Sequence, residues 1–345
     1  MFNPKFNYSH KTVQNLTYIT ESKTIIMNAH LVPEWEISLR KDAILRSAHF
    51  STAIEGNSLS LKEVTALEKG RNIMARRKDK QEVLNYINTL KKIDKYASKE
   101  LFELEDLFEI HKNLTKETLN NPNHEGVLRD CQVYVGGADG SIRFMPPDTN
   151  KVYGLLNDFL EWFNSLSLDE INPVIVSGIT HYEIVRIHPF IDGNGRTARI
   201  MAALVLYKSG FDLKRFFTLD DYYDMDRPNY YRALQSVNQD TLDLTRWLEY
   251  FSEGVAVSMK NVKDKVLELS MNAKILKEKG QVPLNERQME IVEKIISNNK
   301  ITNKTIREMF NISDTAARTE TANLEKLGII KRTGDGRNTH YVLNY

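Results

Sequence analysis

The stretch whose reading decides the fold is HPFIDGNGRTARI, His188 to Ile200. Pro189 disfavours helical backbone at His188, so a helix expected over 172–186 stops where the polar cluster begins. Pro173 suits the first turn of that helix, and Ile175, Ile179, Tyr182 and Arg186 lie near one of its faces. On the other side, Ile200, Ala203, Leu204 and Tyr207 are spaced as the core stripe of a helix from about 195 to 208. The polar residues therefore join two helices and lie over the N-terminus of the second. A wet turn would account for the glycines. It leaves Arg196 and Arg199 at the end of a helix where the dipole disfavours cations, so they call for a counter-charge.

Outward from this loop the chain reads as nearly all helical. Helices are expected over 34–50, 60–93, 103–119, 148–166, 228–238 and 240–278, the last broken or bent, with Gly56 ending or bending the first. The exception is RDCQVYVGGADGSIRFMPP, where Val133 and Val135, then Ile142 and Phe144, alternate around a glycine-rich turn and predict a hairpin. Gly280-Gln281-Val282-Pro283 marks the best domain boundary. Beyond it, helices at 286–298, 302–310 and 314–327 and a hairpin around Gly334-Asp335-Gly336 follow the order of a winged helix-turn-helix.

Composition bounds the function. The 345 residues hold 41% hydrophobic and 27% charged residues, enough apolar matter for a core, and the net charge of +1 supplies no general attraction to nucleic acid or anionic membrane. Cys131 is the single cysteine, so no intrachain disulfide or thiolate zinc site can form. The start, MFNPKFNYSHKTVQ, has no apolar stretch of a secretory signal, and no run approaches membrane-spanning length. A cytoplasmic protein is the expectation.

The loop residues suit phosphate chemistry. Gly193 and Gly195 allow close backbone approach, and amides entering a helix form an anion cradle. Arg196 and Arg199 are answered either by a phosphate chain or by an internal carboxylate. Asp192 suits magnesium through one hard oxygen, with phosphate oxygens and water completing the shell. His188, if neutral, can accept a proton from an incoming hydroxyl. The tyrosines of Asp221-Tyr222-Tyr223-Asp224 and Asn229-Tyr230-Tyr231 serve either as a wall for a base or as helix packing.

HPFIDGNGRTAR resembles the signature of Fic-domain proteins throughout. The resemblance implies an all-α Fic fold with a small β-hairpin flap, and transfer of AMP from ATP to a Ser, Thr or Tyr hydroxyl of a protein, self-modification included. It implies His188 as general base, Phe190 as the loop's anchor, Asp192 as magnesium ligand, and Gly193, Asn194 and Gly195 as phosphate binders. Arg196 would grip the phosphate chain and Arg199 the terminal phosphate. Tyr231 and Asn238 would contact adenosine. Val133, Tyr134, Val135, Ile142, Arg143 and Phe144 would form a target-docking flap.

Ser51-Thr52-Ala53-Ile54-Glu55-Gly56 resembles the inhibitory motif of the same family. Ser51, Glu55 and Gly56 carry it, and Glu55 is expected on Arg199, where it obstructs the terminal phosphate. The organisation expected is an N-terminal helical region, 1–95, with the motif at 51–56; a Fic core, 96–250; a helical linker, 251–284; and the winged helix, 285–345. In the last, Arg318, Thr319, Thr321 and Asn323 are expected to face a groove, with Lys331, Arg332, Arg337 and Asn338 on the wing. Ten Lys/Arg against eight Asp/Glu in that module give only +2, so DNA binding, protein binding and homodimerisation stay open. The alternatives to AMP transfer are a DNA-binding regulator that senses ATP and a bifunctional enzyme that also removes AMP.

Overall fold

The computed structural model describes residues 2–29, 31, 33–136, 142–166, 171–211, 215–277, 284–334 and 336–344. In chain order the helices are α1 (His10–Asn28), α2 (Pro33–Ile54), α3 (Leu61–Glu68), α4 (Arg77–Lys91), α5 (Ile93–Ala97) and α6 (Leu104–Thr115). A short hairpin, β1 (Val135–Gly136) and β2 (Ile142–Phe144), precedes α7 (Thr149–Ser165), α8 (Pro173–Ile187) and α9 (Asn194–Lys208). Then come α10 (Asp220–Met225), α11 (Arg227–Gln235), α12 (Thr245–Lys277), α13 (Glu286–Asn298), α14 (Asn303–Phe310) and α15 (Asp314–Lys326), followed by β3 (Ile330–Thr333) and β4 (His340–Leu343).

Two compact units emerge: residues 1–27 with 41–263, and residues 28–40 with 264–345. No division falls near residue 95, because α3 and α4 contribute Val64, Val83, Tyr86 and Ile87 to the same core as α6 to α9. The expected boundary at 280–283 lies outside the described residues.

In the first unit, α8 is buried along nearly its whole length, from Val174 to Ile187. That all-round burial is why it shows little amphipathic signal. Asn172 caps its first turn, accepting from the Val174 N–H, and Pro173 follows at a position that needs no donor. Its neighbour α9 buries Ala198, Ile200, Met201 and Leu204 in a core shared with Leu107, Ile110 and Leu114 of α6 and Leu156 and Phe159 of α7. These apolar faces fix the two helices that flank the 188–194 loop.

Several expectations need adjusting. The single helix expected over 60–93 is two, because Gly70 takes a left-handed φ of 72° after α3. The helix α12 runs as one element from Thr245 to Lys277 where a break or bend was expected. The flap is short: Val135 pairs with Phe144 and Gly136 with Ile142 in antiparallel register, while Val133 and Tyr134 lie outside the strands. Its turn, 137–141, falls outside the described residues.

In the second unit, α13, α14, α15 and the antiparallel β3–β4 hairpin enclose Ile291, Ile295, Ile306, Leu324, Ile330 and Tyr341. Ile301 bridges Tyr341 through backbone hydrogen bonds, which ties the segment before α14 to the hairpin. Thr321 belongs to this core: it is 1% exposed and its hydroxyl donates to the Ala317 carbonyl, so it does not share the outward face of Arg318, Thr319 and Asn323.

Candidate active site

His188 follows the last residue of α8 and adopts left-handed backbone, φ 52° and ψ 58°. That conformation costs a residue with a Cβ about 1–2 kcal/mol, so the surroundings must hold it. Arg129 does so. Its Nε donates to the His188 carbonyl at 2.9 Å and its backbone N–H donates to the Pro189 carbonyl at 2.9 Å. The same guanidinium reaches Thr149 Oγ1 and the carbonyls of Cys131 and Pro147, which ties the histidine to both roots of the flap.

The His188 ring is oriented by Nδ1, 3.2 Å from the Val185 carbonyl. A carbonyl only accepts, so Nδ1 carries the proton and Nε2 keeps its lone pair. Burial pushes the imidazole below its ordinary pKa and the Arg129 charge pushes the same way, against the Val185 carbonyl, Glu55 and Asp192. The ring is therefore neutral at pH 7, as a general base requires.

Phe190 is fully buried and stacks on His111 of α6, with ring centroids 3.7 Å apart and planes 6° from parallel. His111 Nδ1 accepts from the Gly126 N–H at 2.9 Å, so Nε2 must donate, and it does so to the Asp192 carbonyl at 2.8 Å. Burial takes the pKa of His111 to about 4, which keeps this arrangement neutral. Asn194 Oδ1 accepts from the Phe190 N–H and its Nδ2 donates to the Phe190 carbonyl, so the amide closes the loop. Gly193 sits at φ 82°, and a Cβ there would lie 2.8 Å from Thr115 Cγ2.

Both arginines of the loop are buried, Arg196 at 2% and Arg199 at 4% exposure. Arg196 lies between Glu82 of α4 and Asp192, at 3.4 and 3.3 Å, yet its Nε and Nη1 find no hydrogen-bond acceptor. Buried donors without partners are uncommon and costly. Arg199 is held more fully: Nε donates to Ser51 Oγ at 2.6 Å, and Nη2 donates to the Ser51 carbonyl at 2.9 Å and to Glu55 Oε1 at 2.7 Å. Ser51 and Glu55 are four residues apart, which brings both to one side of α2 as it ends at Ile54. Gly56 follows with φ 93°. The Glu55 carboxylate lies directly over the loop, since a Cβ on Gly195 would meet Glu55 Oε1 at 2.3 Å.

A cavity of about 310 Å³ opens here, lined by Glu55, His188, Gly195 and Arg199 on one side and by Val135 and Phe144 of the flap on another. Tyr231 lines it too, with Tyr182, Gln235 and Gln239. Asn238 does not; its Oδ1 accepts from the Asp240 and Thr241 N–H groups in an exposed turn. Tyr222 and Tyr223 go to packing, grouped with Tyr250, while Tyr230 donates to or accepts from His181 Nε2 at 2.9 Å and also lines the cavity. Asp192 is half exposed, and its Oδ1 is engaged by the Gly193 N–H and Arg196, leaving Oδ2 outside these bonds. Among the described residues no group of three His, Cys, Asp or Glu side chains could hold a metal. A magnesium ion fits only as one carboxylate permits, with phosphate and water as its other ligands.

The site is thus a glycine-containing loop between two core helices, with a carboxylate from just past the end of α2 on its arginine. Residues 101–206 match the model of the Fic/DOC family. It is 36% identical over 168 residues to protein adenylyltransferase fic-1 of Caenorhabditis elegans, covering 47% of this chain and 32% of that protein. It is 29% identical over 222 residues to protein adenylyltransferase Fic of Drosophila grimshawi, covering 60% of this chain and 44% of that one. The chain thus spans less than half the length of these curated relatives. Among solved structures, a Fic family protein from Desulfovibrio desulfuricans G20 shares the fold, with a TM-score of 0.65 at 22% identity over 99% of this chain and 98% of that one. Fic-1 of C. elegans, residues 134–508, aligns with a TM-score of 0.59 at 26% identity over 72% of this chain and 70% of that one.

Arg129, His111, Glu82 and Asp220 escaped the sequence reading. Each meets the loop through tertiary packing from elsewhere in the chain, and no local spacing marks it.

Proposed function

We propose that the domain transfers AMP from ATP to a Ser, Thr or Tyr hydroxyl of a protein and that Glu55 restrains it. The observation that carries this reading is the neutral His188, its Nε2 lone pair available, in the same cavity as the Arg199–Glu55 pair. In the proposed step the hydroxyl oxygen attacks the α-phosphorus, the bond to the bridging oxygen breaks, pyrophosphate leaves, and His188 Nε2 takes the hydroxyl proton. Arg199 receives the terminal phosphate once Glu55 withdraws, and the unsatisfied donors of Arg196 find acceptors in the phosphate chain. Magnesium, when bound by Asp192, would neutralise charge gathering on the departing pyrophosphate.

The edge of the flap would align the target segment so that its hydroxyl meets the phosphorus. Tyr231 would face the nucleoside. The relatives named protein adenylyltransferase support the reaction class. Its test is transfer of label from α-labelled ATP to the protein itself or to lysate proteins by Glu55→Gly; no transfer by that variant would favour a sensing role.

For the terminal unit, a DNA-binding winged helix is the second reading. It rests on exposed Thr315, Arg318, Thr319 and Asn323 of α15 with exposed Lys331 and Arg332 of the hairpin. Arg318 already pairs with Asp314 at 2.7 Å, which weakens the local field. A gel-shift with genomic fragments, lost in Arg318→Ala/Lys331→Ala, would support it; no shift at low salt would end it.

A further inference from the structure

Arg199 has a third anionic neighbour besides the phosphate site and Glu55. Asp220, the first residue of α10, places Oδ1 3.4 Å from Arg199 Nε. Its carboxylate is 5% exposed and is itself fixed from three elements: Ser47 of α2 and Thr218 donate to Oδ2, and Tyr86 of α4 donates to Oδ1. Burial raises the pKa of Asp220, while Arg199 and the hydroxyls of Ser47, Ser51 and Thr218 oppose the shift.

The division of the guanidinium is informative. Ser51, in the last turn of α2, takes Nε and shares Nη2 with Glu55, the residue that follows the helix. Asp220 belongs to α10, so this contact does not depend on the brake segment. When Glu55 withdraws, a buried cation without a fixed partner would lose its position or its charge compensation. Asp220 supplies that fixed partner on the Nε edge. Nη1 lies at the loop, 3.2 Å from where a Gly195 Cβ would sit.

Resting on the reading that Arg199 receives the terminal phosphate, we propose that Asp220 is the positioning residue that aims Arg199 at that phosphate and so sets the preference for ATP over ADP. A group that acts this way changes the ratio of the two affinities. A group that merely holds the fold together changes stability and both affinities alike.

Calorimetric affinities for ATP and ADP on the full-length protein test this, with Glu55→Gly as reference and Asp220→Ala and Asp220→Asn added to it. The reference should favour ATP, and Asp220→Ala should cut that preference about tenfold with ADP affinity little changed, as the buried charge 3.4 Å from Nε is lost. Asp220→Asn, which keeps the shape but not the charge, should restore only a minor part of it. If Asp220→Ala does not fold, Ser47→Ala/Thr218→Ala leaves the carboxylate but removes the hydroxyls on Oδ2, and should lower the preference about threefold. A preference that survives these substitutions unchanged overturns the proposal alone. Equal affinity for ATP and ADP in the reference overturns it together with the reading of Arg199 beneath it.

Discussion

Replacing Glu55 with glycine removes the carboxylate that occupies Arg199 Nη2 and overlies Gly195. The substituted position follows Ile54, the last residue of α2, so little helix is at stake. A hydrogen bond between charged groups contributes about 1.5–3 kcal/mol. Glu55 is about one-third exposed against an almost wholly buried Arg199 side chain, and solvent screening argues for the lower half of that range, about 2 kcal/mol. On the proposed reading, in which the terminal phosphate of ATP displaces this contact, 2 kcal/mol corresponds to an apparent affinity about 30-fold higher in Glu55→Gly. ADP, which lacks that phosphate, should gain much less. Isothermal calorimetry on both proteins measures the difference. An ATP dissociation constant that changes by less than about twofold would refute the competition argued here.

Other consequences follow from the loop. His188 must be neutral to take a proton, and burial lowers its pKa from the ordinary 6.5; transfer by Glu55→Gly should stay active through neutral pH and reach half its rate only below about pH 6.5, as the ring protonates. Half-maximal activity above about pH 7 would contradict the burial argument. Gly193→Ala forces a Cβ into left-handed backbone 2.8 Å from Thr115, and should lower stability by about 2–3 kcal/mol in denaturant titration; wild-type stability would show the loop to be more yielding than its contacts suggest. His111→Leu strands the Gly126 N–H and the Asp192 carbonyl, at an expected cost of about 2–4 kcal/mol by the same measurement, and a change below about 0.5 kcal/mol would remove His111 as the loop's support.

The loop was legible because it depends on local spacing: glycines at 193 and 195 and arginines three apart constrain backbone and side-chain direction before any tertiary contact is known. The contact of Ser51 and Glu55 with Arg199 was expected only from the resemblance of 51–56 to the family's inhibitory motif. The arrangement behind them was not legible. His111 stacks on Phe190 and Arg129 grips His188 only because α6 and the flap roots pack there. Asn194 illustrates the same limit: the sequence offers an amide beside two glycines, and the fold turns both its ends onto Phe190. The helix α1 escaped because HKTVQNLTYITESKTIIMN scatters threonines and lacks a clear apolar stripe, although Ile19 and Ile26 are buried. Thr321 was misjudged by helix phase, a matter of which side of α15 meets Ile306 and Tyr341.

The central claim is that His188 drives AMP transfer in a site that Glu55 holds closed. The most direct measurement follows label from ATP marked at the α-phosphate into protein, comparing wild type, Glu55→Gly and Glu55→Gly/His188→Ala, with ATP binding measured on each. The account predicts little label in the first, strong label in the second, and none in the third despite retained ATP binding. Undiminished label in the His188→Ala protein would contradict it.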